Sequence, residues 1–288
     1  MNVLWGYRFD AAVQSPSGRV AVIYERFGTK GLVLDRGNCI REINRSFYHA
    51  DVYQYPIALF NHPDGRELIA HCPNEYNQIE IEEALTGVNL TFSPARKPDD
   101  FFHSRLLVNL AQSRLVSAGW FWHPFDSAVA WVIADVLADP TLLDHIGDPD
   151  NSCNAEINSA AFIDDNCLLM SSKPDADEYG RKDNQFKPGS IAIFNLATGE
   201  FERVMRMDLN LGNTLWLGHD RLISFYEHPK LIDISTGGII EHWPELNTGK
   251  QDSSIISDGE TLPPLALDSS NRRFAVAGEG RITVLQFD

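Results

Sequence analysis

The sequence predicts an all-β fold: a single β-propeller of about six four-stranded blades occupying residues 1–288, its ring closed by the N-terminal strand. Three observations carry this expectation. A turn followed by a short apolar strand recurs roughly every fifty residues, a second hairpin signal follows within the same unit, and the last unit lacks an outer strand while the first strand lacks a blade.

The recurring unit is a turn, usually a basic residue, and about four apolar residues. Its six instances are SPSGRVAVI from Ser15, HPDGRELIA from His62, LAQSRLVSA from Leu110, FIDDNCLLM from Phe162, LGHDRLISF from Leu217 and SSNRRFAVA from Ser269. Their fifth positions, Arg19, Arg66, Arg114, Asn166, Arg221 and Arg273, are spaced by 47, 48, 52, 55 and 52 residues. Gly, Asn, Asp and Ser tolerate the backbone angles that reverse one strand into the next, so each turn reads as a hairpin. The apolar runs do not alternate strictly, which is the pattern of strands covered on both faces. A period near fifty built from short strands fits propeller blades better than a solenoid.

The second hairpin signal is an acid or amide followed by Gly: Glu83 to Gly87, Asn195 to Gly199 and Asp233 to Gly237, with Asp35 to Gly37 as a shortened version. It marks the turn between third and outer strands. Two hairpins per unit require four strands. The final unit ends with its third strand, Arg281 to Asp288, whereas Asn2 to Tyr7 precedes the first unit. Pairing of these two segments would cover an otherwise open sheet edge. The long connections 135–156 and 246–262 leave room for a seventh blade, and the first of them, from Asp135 to His145, also has the spacing of a short helix.

This organisation resembles the WD-repeat and related bacterial propeller families over essentially the whole chain. The resemblance is architectural: Gly-His and Trp-Asp pairs are absent from their usual places, and Gly218-His219 sits in a turn. It implies that loops joining second to third strands, and those joining successive blades, share one face that serves for recognition. That face would carry Tyr24 to Thr29, Cys72 to Gln78, Trp120 to Asp126, Ser172 to Gly189, Tyr226 to Lys230 and Gly278 to Gly280, with the blade junctions His49 to Tyr55 and Phe101 to Arg105.

Composition narrows the function classes. Hydrophobic residues make up 43% and charged residues 22%, which suits a packed core. The N-terminus has no basic region leading into an apolar stretch, and no apolar run approaches the roughly 18 residues of a membrane span, so a cytoplasmic address and no membrane partner are expected. Cys39, Cys72, Cys153 and Cys167 form no CxxC pair and read as buried thiols. The net charge of −16 argues against direct nucleic-acid binding. From Leu115 to Ser172 there is no Lys or Arg, while Asp126, Asp135, Asp139, Asp144, Asp148, Asp150, Glu156, Asp164 and Asp165 stand there.

The candidate binding residues follow from these patterns. Gly119 to Asp126 holds Trp120, Trp122 and His123 beside Asp126, a combination of large rings and polar tips suited to an interface anchor. Asp144, Asp148 and Asp150 supply acidic charge, Tyr226 and His228 stand on another loop, and His49 with Asp51 lies at a blade junction. The pairs His49/Asp51, His103/Arg105 and His123/Asp126 map to the same face and could converge on a metal or act as acid and base. No HExxH, GxSxG, GxGxxG or P-loop motif is present, and hydrogen bonding by His49 and Asp51 between blades is the simpler expectation. No cofactor is expected. The expected function is non-catalytic protein binding, in its most specific form a bacterial immunity protein that covers a basic toxin. The alternatives are a propeller hydrolase or lyase and a binder of small ligands or carbohydrate.

Overall fold

A strand with apolar side chains on both sides needs both faces covered. The computed structural model, which describes residues 6–7, 9–122, 125–146, 155–176, 186–255, 262–278 and 280–287, meets this requirement with six antiparallel sheets arranged as the blades of a propeller.

Blade 1 consists of β1 (Ala11–Gln14), β2 (Val20–Tyr24), β3 (Lys30–Asp35) and β4 (Asn38–Asn44), and blade 2 of β5 (Ile57–Asn61), β6 (Glu67–His71) and β7 (Glu80–Glu83). Blade 3 pairs β8 (Phe101–Phe102) and β9 (Leu106–Val108) with β10 (Arg114–Phe121), which pairs in turn with β11 (Phe125–Val132). Blade 4 contains β12 (Ser159–Phe162), β13 (Cys167–Ser171), β14 (Ser190–Asn195) and β15 (Glu200–Arg206). Blade 5 contains β16 (Thr214–Gly218), β17 (Arg221–Ser224), β18 (Lys230–Asp233) and β19 (Gly238–His242), and blade 6 contains β20 (Leu265–Asp268), β21 (Arg273–Gly278) and β22 (Arg281–Gln286).

The second strand of each blade carries the recurring apolar run, and alternate residues of it enter different cores. In β6, Ile69 packs with Val20, Val22 and Val33 of blade 1, whereas Leu68 and Ala70 pack with Leu115, Val129 and Trp131 of blade 3. The same division puts Leu168 and Met170 against blade 3 and Leu169 against blade 5. Leu215, Ile223 and Phe225 then meet Phe274 and Val276 of blade 6.

Both hairpin signals have a geometric origin. The residue before the basic position is left-handed at Gly18, Gly65, Asp220 and Arg272, as a tight reversal requires. Gly87, Gly199 and Gly237 are also left-handed, and each donates its N–H to the carbonyl four residues earlier, on Glu83, Asn195 and Asp233.

Outer strands depart from the regular plan. In blade 2, residues 88–90 run beside β7 through the bonds Glu83 N to Val88 O and Leu90 N to Ile81 O, without forming a full strand. After β11 the chain turns into α1 (Ile133–Ala138) and a 3-10 turn (Pro140–Asp144), so the sequence's helical alternative for this stretch is realised. Ile133, Val136 and Leu143 pack into the core between blades 2 and 3. In blade 6, β22 pairs with β21 alone among the described strands. Of its expected partner, Asn2 to Tyr7, only Gly6 and Tyr7 are among the described residues, and Lys30 of blade 1 lies 5.9 Å from the centre of the Tyr7 ring. Cys72 and Cys167 are buried, but Cys39 on β4 is exposed, which corrects the expectation of buried thiols; Cys153 lies outside the described residues. No helix among the described residues is long and apolar enough to cross a membrane.

Candidate functional site

An aromatic stack rises on the face formed by the connections between blades. Phe102 is its centre, buried where β8 pairs with β10. The indole of Trp120 lies parallel to it at 3.9 Å, and Tyr76, from the β6 to β7 loop, stacks at 4.2 Å. Tyr53, at the junction of blades 1 and 2, meets the Phe102 ring edge-on at 5.4 Å. This approach of strands requires Gly119, because a Cβ there would stand 2.1 Å from the Phe102 carbonyl oxygen.

Above this floor, Trp122 stacks on Trp120 at 5.7 Å and Tyr48 contacts Tyr76 at 5.1 Å. His49 sits between them, 4.4 Å from Tyr48 and 5.2 Å from Trp122. His49 adopts a left-handed backbone (φ 51°) inside the turn, a region that Asn, Asp and His enter more readily than other non-Gly residues. Trp122 remains 46% exposed, Tyr48 47% and neighbouring Phe47 84%. Trp122 and Tyr48 are therefore held from below and open above. Tyr76 donates its hydroxyl to Asp100 at 2.6 Å; burial, then this bond and the Asp100 charge, hold its pKa above the usual phenol range.

The centre of this face is filled. The connection from blade 5 to blade 6 reaches blade 3: Ser254 N donates to Asp126 Oδ1 at 2.9 Å, and Ser254 Oγ donates to the carbonyls of Ala118 and Gly119. Arg105 of blade 3 donates to Ser254 Oγ at 2.7 Å and to Asn213 Oδ1 of the blade 4 to blade 5 connection at 3.3 Å. Burial pushes the Arg105 pKa down, and the charges of Asp126 and Asp252 oppose that shift.

The sequence candidates thus separate. Trp122 and His49 meet in the stack with Trp120 beneath them, but Trp120 is buried within β10, where the sequence suggested a loop. Asp126 is also buried and has a structural role, accepting from Asn158 Nδ2 at 2.8 Å as well as from Ser254. Asp144 does not belong to a solvent-facing acidic surface. Its buried carboxylate accepts from Arg96 Nε at 2.6 Å and Lys97 N at 2.5 Å, and Arg96 is also paired with buried Glu80. His123, Asp148 and Asp150 lie outside the described residues. Asp51 is exposed beside the stack, and among the described residues neither its side chain nor that of His49 makes a hydrogen bond, contrary to the expected bonding between blades. Tyr226 lines a cavity of about 350 Å³ with Asp175, Leu211, Glu227 and Lys230, next to His228; no described contact joins either residue to the stack.

The suggested His and carboxylate convergence is not assembled among the described residues. His103 is fully buried between Ser117 Oγ and the Asn77 carbonyl. No group of three or more His, Cys, Asp or Glu stands close enough to hold a metal ion there. Four contributors to the stack, Phe102, Tyr76, Tyr53 and Tyr48, are not among the binding residues the sequence suggests; the loop map places the segments of the first three on the same face, which is the available signal.

The geometry defines a six-bladed propeller with an aromatic stack that is open at the top. No family model matches the chain, and no curated protein sequence matches it. Among solved structures, a chain of the mitotic checkpoint complex, a WD-repeat-type propeller, is similar at a TM-score of 0.54 and 13% identity, over 96% of this chain and 77% of that one. The likeness is one of fold.

Proposed function

We propose that this protein is a non-catalytic interaction platform and that the open top of the aromatic stack is its contact surface. The observation carrying this reading is that Phe47, Tyr48 and Trp122 are substantially exposed while the rings below them are locked in place. Such rings bury much area on binding, and Tyr48 and Trp122 lose little conformational freedom because their ring contacts already hold them. The fold of the structural neighbour, found in a protein complex, supports a protein partner. In its finer form the reading is a cytoplasmic immunity protein covering a basic toxin, supported by the net charge of −16 through electrostatic steering.

A photo-crosslinking amino acid at Phe47 in the full chain tests the platform, with Leu110 as comparison because it is 65% exposed in a turn at the opposite face. A discrete protein adduct at position 47, absent at 110 and lost with Trp122→Ser, is the expected result. Equal adducts at both positions, or an adduct indifferent to Trp122→Ser, would overturn it. Neutralisation of a co-expressed basic toxin by the captured pairing is the corresponding test of the finer form.

A further inference from the structure

We propose that the bowl formed by Tyr48, His49, Tyr76 and Trp122 receives an arginine side chain of the partner, a chemistry that rests on the platform reading and makes it more specific. Open aromatic faces attract a planar guanidinium through their ring electrons, and nearby carboxylates strengthen the attraction. Both components are present. Asp51, Glu75 and Asp100 are exposed around the bowl, and none forms an ion pair among the described residues. Elsewhere on the surface some acids find cations, Asp35 with Arg19, Asp64 and Glu83 with Arg66, Asp220 with Arg203, and Asp268 with Arg273, while others, among them Asp139, Asp164 and Glu241, form no ion pair among the described residues. Asp100 accepts the Tyr76 hydroxyl and Glu75 is the residue before Tyr76, which places both charges at the bowl.

The same region already holds one guanidinium in this manner. Arg45 is buried 4.5 Å from the Tyr53 ring centre and 5.0 Å from that of Tyr55, with its N–H groups donated to the carbonyls of Gly28, Ala50 and Tyr53. In the bowl above, rings recur without the cation, and carboxylates stand where the Arg45 site has carbonyls. An ammonium could be attracted too, but a guanidinium can lie flat on a ring while its edge donates to a carboxylate.

The test follows the indole N–H resonances of the six tryptophans during titration with N-acetyl-arginine amide, Trp122 being assigned by Trp122→Phe. N-acetyl-citrulline amide keeps the shape without the charge, and N-acetyl-lysine amide keeps the charge without the plane. A saturable Trp122 shift with the arginine probe is expected, weaker by about three- to fivefold with either control and by a similar factor in the Glu75→Gln/Asp100→Asn variant. An equal response to citrulline or lysine, or indifference to the double neutralisation in a variant that melts like the parent, would overturn the arginine assignment. If the probe fails while the Phe47 adduct persists and depends on Trp122, the platform stands and the arginine seat falls. Loss of that adduct's dependence removes the platform itself.

Discussion

Trp120 and Trp122 stand two residues apart in one strand and turn, yet their removal should have opposite consequences. Trp120 is 3% exposed and lies flat against Phe102 at 3.9 Å. Truncation to alanine removes a fully buried ring and leaves a cavity, a change that costs about 3–5 kcal/mol, of which ring stacking supplies about 0.5–1.5. Trp122 already has nearly half its surface in water, so Trp122→Ala should cost about 1 kcal/mol. A chain of this size loses about 2 °C of melting temperature per kcal/mol, which gives a drop of about 6–10 °C for Trp120→Ala and about 2 °C for Trp122→Ala. Calorimetry and urea titration measure both. Partner binding should respond in the reverse order, with Trp122→Ala losing about 2 kcal/mol or more of affinity in a folded protein, as an interface anchor does. If the two variants melt together, or Trp122→Ala melts lower, the division into floor and contact ring is wrong.

Two further expectations concern buried charge. Asp144→Asn should cost about 3–5 kcal/mol in urea titration because it strips the Arg96 guanidinium of its nearest carboxylate, and Asp144→Lys should fail to fold; a native melt for the lysine variant would return Asp144 to the surface. His103 is held neutral by burial, its pKa down at about 3, with the Asn77 hydrogen bond opposing and the Arg96 charge assisting. Unfolded histidine takes up its proton near pH 6.5, so between about 6.5 and 3 the unfolded chain binds one more proton than the native one and stability falls on acidification, by up to about 1.4 kcal/mol per pH unit. His103→Gln should flatten this part of the curve of stability against pH, and identical slopes for the two proteins would reject the assignment.

Much of the fold was legible because its signals are local. A reversal such as Ser15 to Arg19 announces itself through Gly18, and a strand covered on both sides, such as Glu67 to His71, shows apolar residues at successive positions. Outer strands were less legible in blades 2 and 3, where residues 88–90 bond only irregularly and α1 replaces a strand, since an outer strand has little apolar demand to display. The candidate site divided along the same line. Trp122 could be picked out as a large ring in a loop, but Tyr76 and Tyr48 join the same stack only when blades 1, 2 and 3 close around Phe102. Burial of charge was illegible. Nothing near Asp144 in sequence reveals that Arg96, 48 positions earlier, will neutralise it.

A circle whose members touch only their neighbours could in principle come apart one member at a time. The span from Ser254 to Asp126 and Arg105 is a chord across that circle, joining segments 128 and 149 positions apart. Blade 3 cannot loosen without pulling on the strap that leads into blade 6. Slow amide exchange at Ser254 N–H and along β10 should therefore decay together under rising denaturant, as parts of one cooperative unit.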